Sequence, residues 1–214
     1  YKYVASKGGE VFVHSDDNLL MQLTEKYKRH TYGQNGSLLK GEIKQAVPYL
    51  VYSLKTLKGD LYVKTHLVGK YNFANAMAAS AMGIYFDIAP LTIKEAMEQY
   101  SPSNFRSQLI KTPKQNTVIL DAYNANPSSM EVSIENFIEM PGEEKVIILG
   151  EMLELGDSSI DAHNKLIEQV MKGNFKNIFL IGKNFEHCSG KYNFISWFKD
   201  TETLIEGLNT YSIN

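Results

Sequence analysis

The sequence predicts an α/β fold in two regions, with a parallel sheet in the second. Three observations point to it. The first half is rich in short β-like segments, the chain beyond Arg106 alternates strand with helix, and the first helix of that alternation carries an apolar stripe of helical period. In that stripe Met130, Ile134, Phe137 and Ile138 fall at offsets of zero, four, seven and eight, the spacing of a helix that lies on a sheet.

Taken in order, EVFVH, HTYG, EIKQAV, YLVYSL and DLYVKTHLV read as strands, with turn signals at Gly33-Gln34-Asn35-Gly36 and Lys58-Gly59-Asp60. One helix, NLLMQLTEKY, sits among them behind the capping residues Asp16 and Asp17. Two more helices follow, from Asn72 to about Tyr85 and from Thr92 to about Gln99, the second introduced by Pro90 and stopped before Ser101-Pro102. Ser101-Pro102-Ser103-Asn104 reads as a linker, which sets the expected domains at 1–103 and 104–214. Beyond it TVILDAY, KVIILG, NIFLIG and FISWF are strands, and PSSMEVSIENFIEM, SSIDAHNKLIEQVMKG and TETLIEGLNT are helices. Such alternation argues for right-handed βαβ connections in a parallel sheet.

A chain of 214 residues, 43% of them hydrophobic, has material for two cores. Its 22 Lys and Arg against 24 Asp and Glu leave a formal charge of -2, which gives no overall field for nucleic acid or an anionic membrane. Cys188 is the only cysteine, so no internal disulfide exists, and a reducing cytoplasm is the expected location. The most apolar stretch, ANAMAASAMGIYF, is interrupted by Asn75 and Ser80 and is too short to span a bilayer. No membrane insertion is expected.

In a parallel sheet the carboxyl ends of the strands meet along one edge, where open α/β folds hold their ligands. Two polar stretches distant in sequence therefore become neighbours: DAYNANPSS and GEMLELGDSS. The first brings Asp121, Tyr123, Asn124 and Asn126 to a strand end, and the second brings Glu151, Glu154 and Asp157. Both run into helix N-termini, whose free N–H groups attract anions and carbonyls. A capped turn is the alternative, since Asn, Asp and Ser cap helices, and Ser158 with Asp161 forms a potential capping box. In GKYNFANAMAASAMG, Asn72 and Asn75 share a helix face. They are either caps of a tightly packed helix or an amide pair set to hydrogen-bond a heterocycle, because Asn offers both donor and acceptor.

Three motifs in this order carry a resemblance. GKYNFANAMAA resembles the helix-opening signature of the Mur ligases, DAYNANPSSM resembles the start of their C-terminal domain, and ILGEMLELGDSS with the later His163 resembles the segment that follows. DAYNANP with GEMLELG is most similar to the family member that adds D-alanyl-D-alanine. The resemblance implies a Rossmann-like C-terminal domain preceded by the β-rich rear part of a central ATPase domain. It also implies a reaction: ATP, with Mg2+, phosphorylates the carboxylate of UDP-N-acetylmuramoyl-tripeptide, and the amine of D-alanyl-D-alanine attacks the acyl phosphate to form an amide bond. By motif matching Asn72 and Asn75 face the adenine, Arg106 reaches the ATP phosphates and Asp121 holds the ribose. Tyr123, Asn124 and Asn126 lie near the incoming dipeptide or the reacting carboxylate, so that the strand end opens on an interdomain cleft.

Departures from the family pattern shape the expectation. Gly182-Lys183-Asn184 lacks the upstream Gly and the hydroxyl of a phosphate loop, Tyr71 stands where the family usually has His, and Leu120 where an Asp often precedes Asp121. The phosphate loop, the uridine-binding domain and the metal-binding segment are expected outside this stretch, which alone should not turn over. Two rivals remain: a related acid-amino acid ligase such as folylpolyglutamate synthase, which would share the chemistry but not DAYNANP, and a nucleotide-binding module without catalysis. His163 lies on an apolar helix face with Ile160, Ile167 and Val170 and is expected to be structural, as is Cys188. His14, His30, His66 and His187 have no metal-ligand spacing.

Overall fold

The computed structural model describes residues 1–103, 105–190 and 193–208. The chain forms two compact units, Tyr1–Leu109 and Ile110–Asn214. Asn104, the last residue of the expected linker, and the end of TETLIEGLNT lie outside the described residues.

In the first unit the order is α1 (Lys2–Ser6), β1 (Val11–His14), α2 (Asn18–Leu23), β2 (Arg29–Gly33), β3 (Leu39–Gln45), β4 (Tyr49–Thr56), β5 (Gly59–Val68), α3 (Asn72–Tyr85) and α4 (Pro90–Gln99). The strands make one five-stranded sheet in chain order, parallel from β1 to β3 and antiparallel from β3 to β5. Helix α2 starts where Asp17 accepts a hydrogen bond from the Leu20 N–H at 2.9 Å. It is shorter than the sequence suggests and stops at Thr24, whose hydroxyl donates to the Leu20 carbonyl at 2.6 Å and so competes with helix continuation.

The core of this unit forms where α3 lies on the sheet. Leu50, Tyr52, Leu54 and Val63 are fully buried beneath Phe73, Ala76, Met77 and Ala81, and each large apolar side chain so placed contributes about 1.5–3 kcal/mol. The buried face of α3 is Phe73, Ala76, Met77, Ser80 and Ala81. Small residues do matter on the sheet side: a Cβ at Gly41 would lie 2.6 Å from the Met77 sulfur, so glycine is what lets the helix approach.

In the second unit come β7 (Thr117–Leu120), after β6 (Gln108–Lys111) at the boundary, then α5 (Pro127–Glu139), β8 (Val146–Gly150), α6 (Ser159–Val170), β9 (Asn177–Ile181), β10 (Ile195–Phe198) and α7 (Thr201–Leu208). Strands β8, β9 and β10 form a parallel sheet in the order β10-β9-β8. The central strand is buried on both faces at Ile178, Phe179 and Leu180, as expected of a covered parallel sheet. Leu149, Ile134, Leu166 and Val170 close one core with it.

One strand departs from the expected arrangement. TVILDAY was expected to join the βαβ sheet, but β7 pairs with β6, a strand not foreseen, as a separate two-stranded sheet. The turn between them explains the pairing: Thr112 N–H bonds to the Asn116 carbonyl and Gln115 N–H to the Thr112 carbonyl, both at 2.9 Å, returning the chain alongside itself. A local partner reached by a tight turn needs no long loop closure.

Candidate functional site

The polar cluster after β7 divides its labour. Asn126 is the N-cap of α5, its side-chain carbonyl accepting from Ser129 N–H at 3.0 Å and from the Ser128 hydroxyl at 2.9 Å, with Pro127 at the first helical position. The capped-turn reading therefore describes Asn126. It does not describe Asp121, Tyr123 and Asn124, which are exposed. Ser133, on α5, donates to the Asp121 carboxylate at 3.0 Å and holds it against the helix.

The loop after β8 is anchored from inside. Glu151 N–H donates to the Ile181 carbonyl at 2.9 Å, extending the parallel ladder by one residue. Met152 then turns into the core, 1% exposed, and its N–H donates to Nε2 of the buried His163 at 3.0 Å. Because Nε2 accepts, the ring proton sits on Nδ1, which donates to the Ser159 carbonyl at 2.7 Å. His163 is thus satisfied at both nitrogens, as the sequence led us to expect. The capping box foreseen at Ser158 is absent: that hydroxyl donates backward to the Leu155 carbonyl at 2.7 Å, and α6 begins without a side-chain cap.

Glu151 lies across the end of β9. Its carboxylate accepts from Asn184 N–H at 2.9 Å, and it rests on Gly182, where an added Cβ would meet the Glu151 side chain at 2.4 Å. Gly182 also has φ +112, a backbone state that other residues rarely adopt. Gly182 and Asn184 thus form the seat of Glu151, a role sequence reasoning missed. The only signal was a glycine closing an apolar strand, and its meaning depends on a side chain 31 positions earlier, which no local pattern reports.

These two loops meet. Ala122, Tyr123, Asn124 and Ala125 from the first, with Glu151, Leu153 and Glu154 from the second, line a pocket of about 320 Å³. The convergence of DAYNANPSS and GEMLELGDSS expected from the strand-end argument is therefore present, although β7 is not a member of the parallel sheet. Chemically the pocket offers carboxylate acceptors, a phenol and an amide, a set suited to cationic amines and hydrogen-bonding groups.

In the first unit Asn72 and Asn75 are linked to each other. The Asn75 amide donates to Asn72 Oδ1 at 3.3 Å, and the Asn72 amide donates to the Val68 carbonyl at 2.8 Å, tying the start of α3 to the end of β5. Neither caps a free N–H of the first turn, since no side-chain cap bond forms there. Asn75 is exposed. Arg106 is exposed too, between Phe105 and Ser107, whose φ values of 58 and 45 are unusual for non-glycine residues. Ser107 is buried and shares a 2.5 Å hydrogen bond with the Tyr71 hydroxyl, which fixes this bend beside the opening of α3. Tyr71 thus makes a structural contact at the position where the sequence departs from the family pattern.

Among the described residues no three His, Cys, Asp or Glu side chains converge as metal ligands, and no helix is long and apolar enough to cross a membrane.

Comparison with known proteins places this geometry. Residues 105–209 match the family described as Mur ligase, glutamate ligase domain. The chain is 31% identical over 177 residues to the UDP-N-acetylmuramoyl-tripeptide–D-alanyl-D-alanine ligase of Bacillus subtilis (strain 168), covering 81% of this chain and 38% of that protein. The ligase of the same name from Escherichia coli (strain K12) is 29% identical over 157 residues, or 73% of this chain and 34% of that one. The chain therefore spans well under half the length of these relatives. Among solved structures, MurF from Acinetobacter baumannii (crystal structure II) shares the fold with a TM-score of 0.80 at 24% identity, over 96% of this chain and 47% of that one. MurF ligase from Thermotoga maritima in complex with ADP gives a TM-score of 0.74 at 19% identity, over 94% and 47%. The family match over residues 105–209, joined to sequence similarity over four-fifths of the chain, assigns it to the Mur ligase family.

Proposed function

We propose that this chain is part of an ATP-dependent amide-bond ligase that joins D-alanyl-D-alanine to UDP-N-acetylmuramoyl-tripeptide in peptidoglycan precursor synthesis. Residues 1–103 would be the rear of the central ATP-binding domain and 104–214 the C-terminal domain. The observation that carries the reading is the pocket where Tyr123 and Asn124 meet Glu151 and Glu154, built by the two motifs that most resemble the D-alanyl-D-alanine-adding relatives.

The residues fit the roles unequally. Asp121 presents an exposed carboxylate steadied by Ser133, which suits the two hydroxyls of a ribose. Asn75 presents an exposed amide for a heterocycle, with Asn72 orienting it, and Arg106 an exposed guanidinium for phosphate oxygens. Tyr123 and Asn124 would contact the dipeptide or the reacting carboxylate. Asn126 would act on that site through the start of α5, since its side chain is engaged as a cap. ATP, when bound, supplies the phosphoryl group that activates a carboxylate as an acyl phosphate. Magnesium is implied by the family, and no described cluster in this chain is assigned as its ligands. What these residues contribute is placement: holding an amine and its target in register converts a bimolecular encounter into a local one.

The test is phosphate release by the full-length protein with ATP, UDP-N-acetylmuramoyl-tripeptide and D-alanyl-D-alanine. Release should require both the tripeptide and the dipeptide. Release that proceeds without the dipeptide, or with a single amino acid in its place, would overturn the assignment.

A further inference from the structure

His163 is fully buried, yet none of the roles above uses it. Its ring is locked from three directions: Nδ1 donates to Ser159, Nε2 accepts from Met152, and the Phe185 ring meets it edge-on at 4.7 Å between centroids. The bond to Met152 matters because of what flanks that residue. Glu151, Leu153 and Glu154 form one wall of the pocket, and the wall is held in a shape the chain would not choose alone, since Glu154 has φ +63. The Met152 side chain fixes the depth of the loop, and the imidazole fixes its backbone direction.

We propose that His163 is a positioning residue for the amine-substrate pocket, and that it sets the placement of Glu151 and Glu154 through the Met152 N–H. This inference rests on the reading of the pocket as the dipeptide site. Without the imidazole acceptor the Met152 N–H is left buried and unpaired, and the loop turns to satisfy it elsewhere. The displaced wall then alters binding of the amine substrate and leaves nucleotide binding as it was.

A residue that served the core alone would lower the melting temperature and the yield of active protein, and would leave both Michaelis constants unchanged. The full-length protein distinguishes the two. His163→Leu removes both hydrogen bonds, and His163→Asn, which keeps a donor toward Ser159 but does not reach Met152, replaces it if the leucine variant does not fold. His163→Gln restores an acceptor near the Nε2 position. The KM for D-alanyl-D-alanine should rise about fivefold or more in the Leu or Asn variant, as expected for one lost hydrogen bond, with the KM for ATP unchanged. It should return toward the wild-type value in the Gln variant. An unchanged dipeptide KM, an equal rise in both constants, or a fall in kcat alone would overturn the proposal. Wild-type turnover without any dipeptide requirement would instead remove the functional reading, and this inference with it.

Discussion

At the scale of single residues, the polar cluster after β7 shows how similar side chains take different tasks. Asn126 spends its carbonyl on the helix start, while Asp121 keeps an exposed carboxylate with one hydroxyl donor from α5. Sequence reasoning identified the cluster but could not divide it, because capping and ligand binding draw on the same residue types. Asp121→Ala in the full-length protein should raise the KM for ATP at least about tenfold with little change in melting temperature, since a hydrogen bond to a charged acceptor is worth roughly 1.5–3 kcal/mol. An unchanged ATP dependence in steady-state assays would remove the ribose role.

At the scale of elements, helices are fixed to sheets by single polar contacts as well as by apolar faces. Helix α4 illustrates this: Glu98 accepts from the Lys94 ammonium at 2.5 Å and from the Lys64 N–H of β5 at 2.9 Å. The lysine first, and the backbone N–H second, hold the Glu98 carboxyl below its ordinary value of 4.5. The folded state thus favours the ionised form. Its stabilisation is present in full above the unfolded value and is lost as pH falls through the lower, folded one. Glu98→Gln should therefore cost about 0.5–1 kcal/mol at neutral pH, a figure already discounted for solvent, and less at an acid pH below 4.5. Urea midpoints at the two pH values check this, and an equal loss at both would show that shape, not charge, is what the helix uses. The pairing of β7 with β6 is the element-level lesson of the opposite kind. TVIL is a strand by pattern, but its partner was set by a turn whose Gln115 adopts φ +67, a state glutamine does not announce.

At the scale of the whole molecule, two units each bury their own core, one around Leu50, Tyr52 and Val63 and the other around Ile178 and Leu180. Leu180→Ala should destabilise the second unit by about 2–5 kcal/mol, the range for a large-to-small change at a fully buried site. Hydrogen exchange should then show faster opening of β8, β9 and β10, with β4 and β5 unchanged. Parallel acceleration in β4 and β5 would mean that the chain unfolds as one cooperative body. The sequence by itself determined the α/β class, the order of nearly all elements and the family motifs, because periodicity is a local rule that a single chain displays. Only the tertiary structure decided which side chains seat which: Gly182 beneath Glu151, His163 beneath Met152 and Ser107 against Tyr71. These pairs join residues 31, 11 and 36 positions apart along the chain, and such contacts follow from packing and backbone conformation, quantities that exist only once the chain has folded.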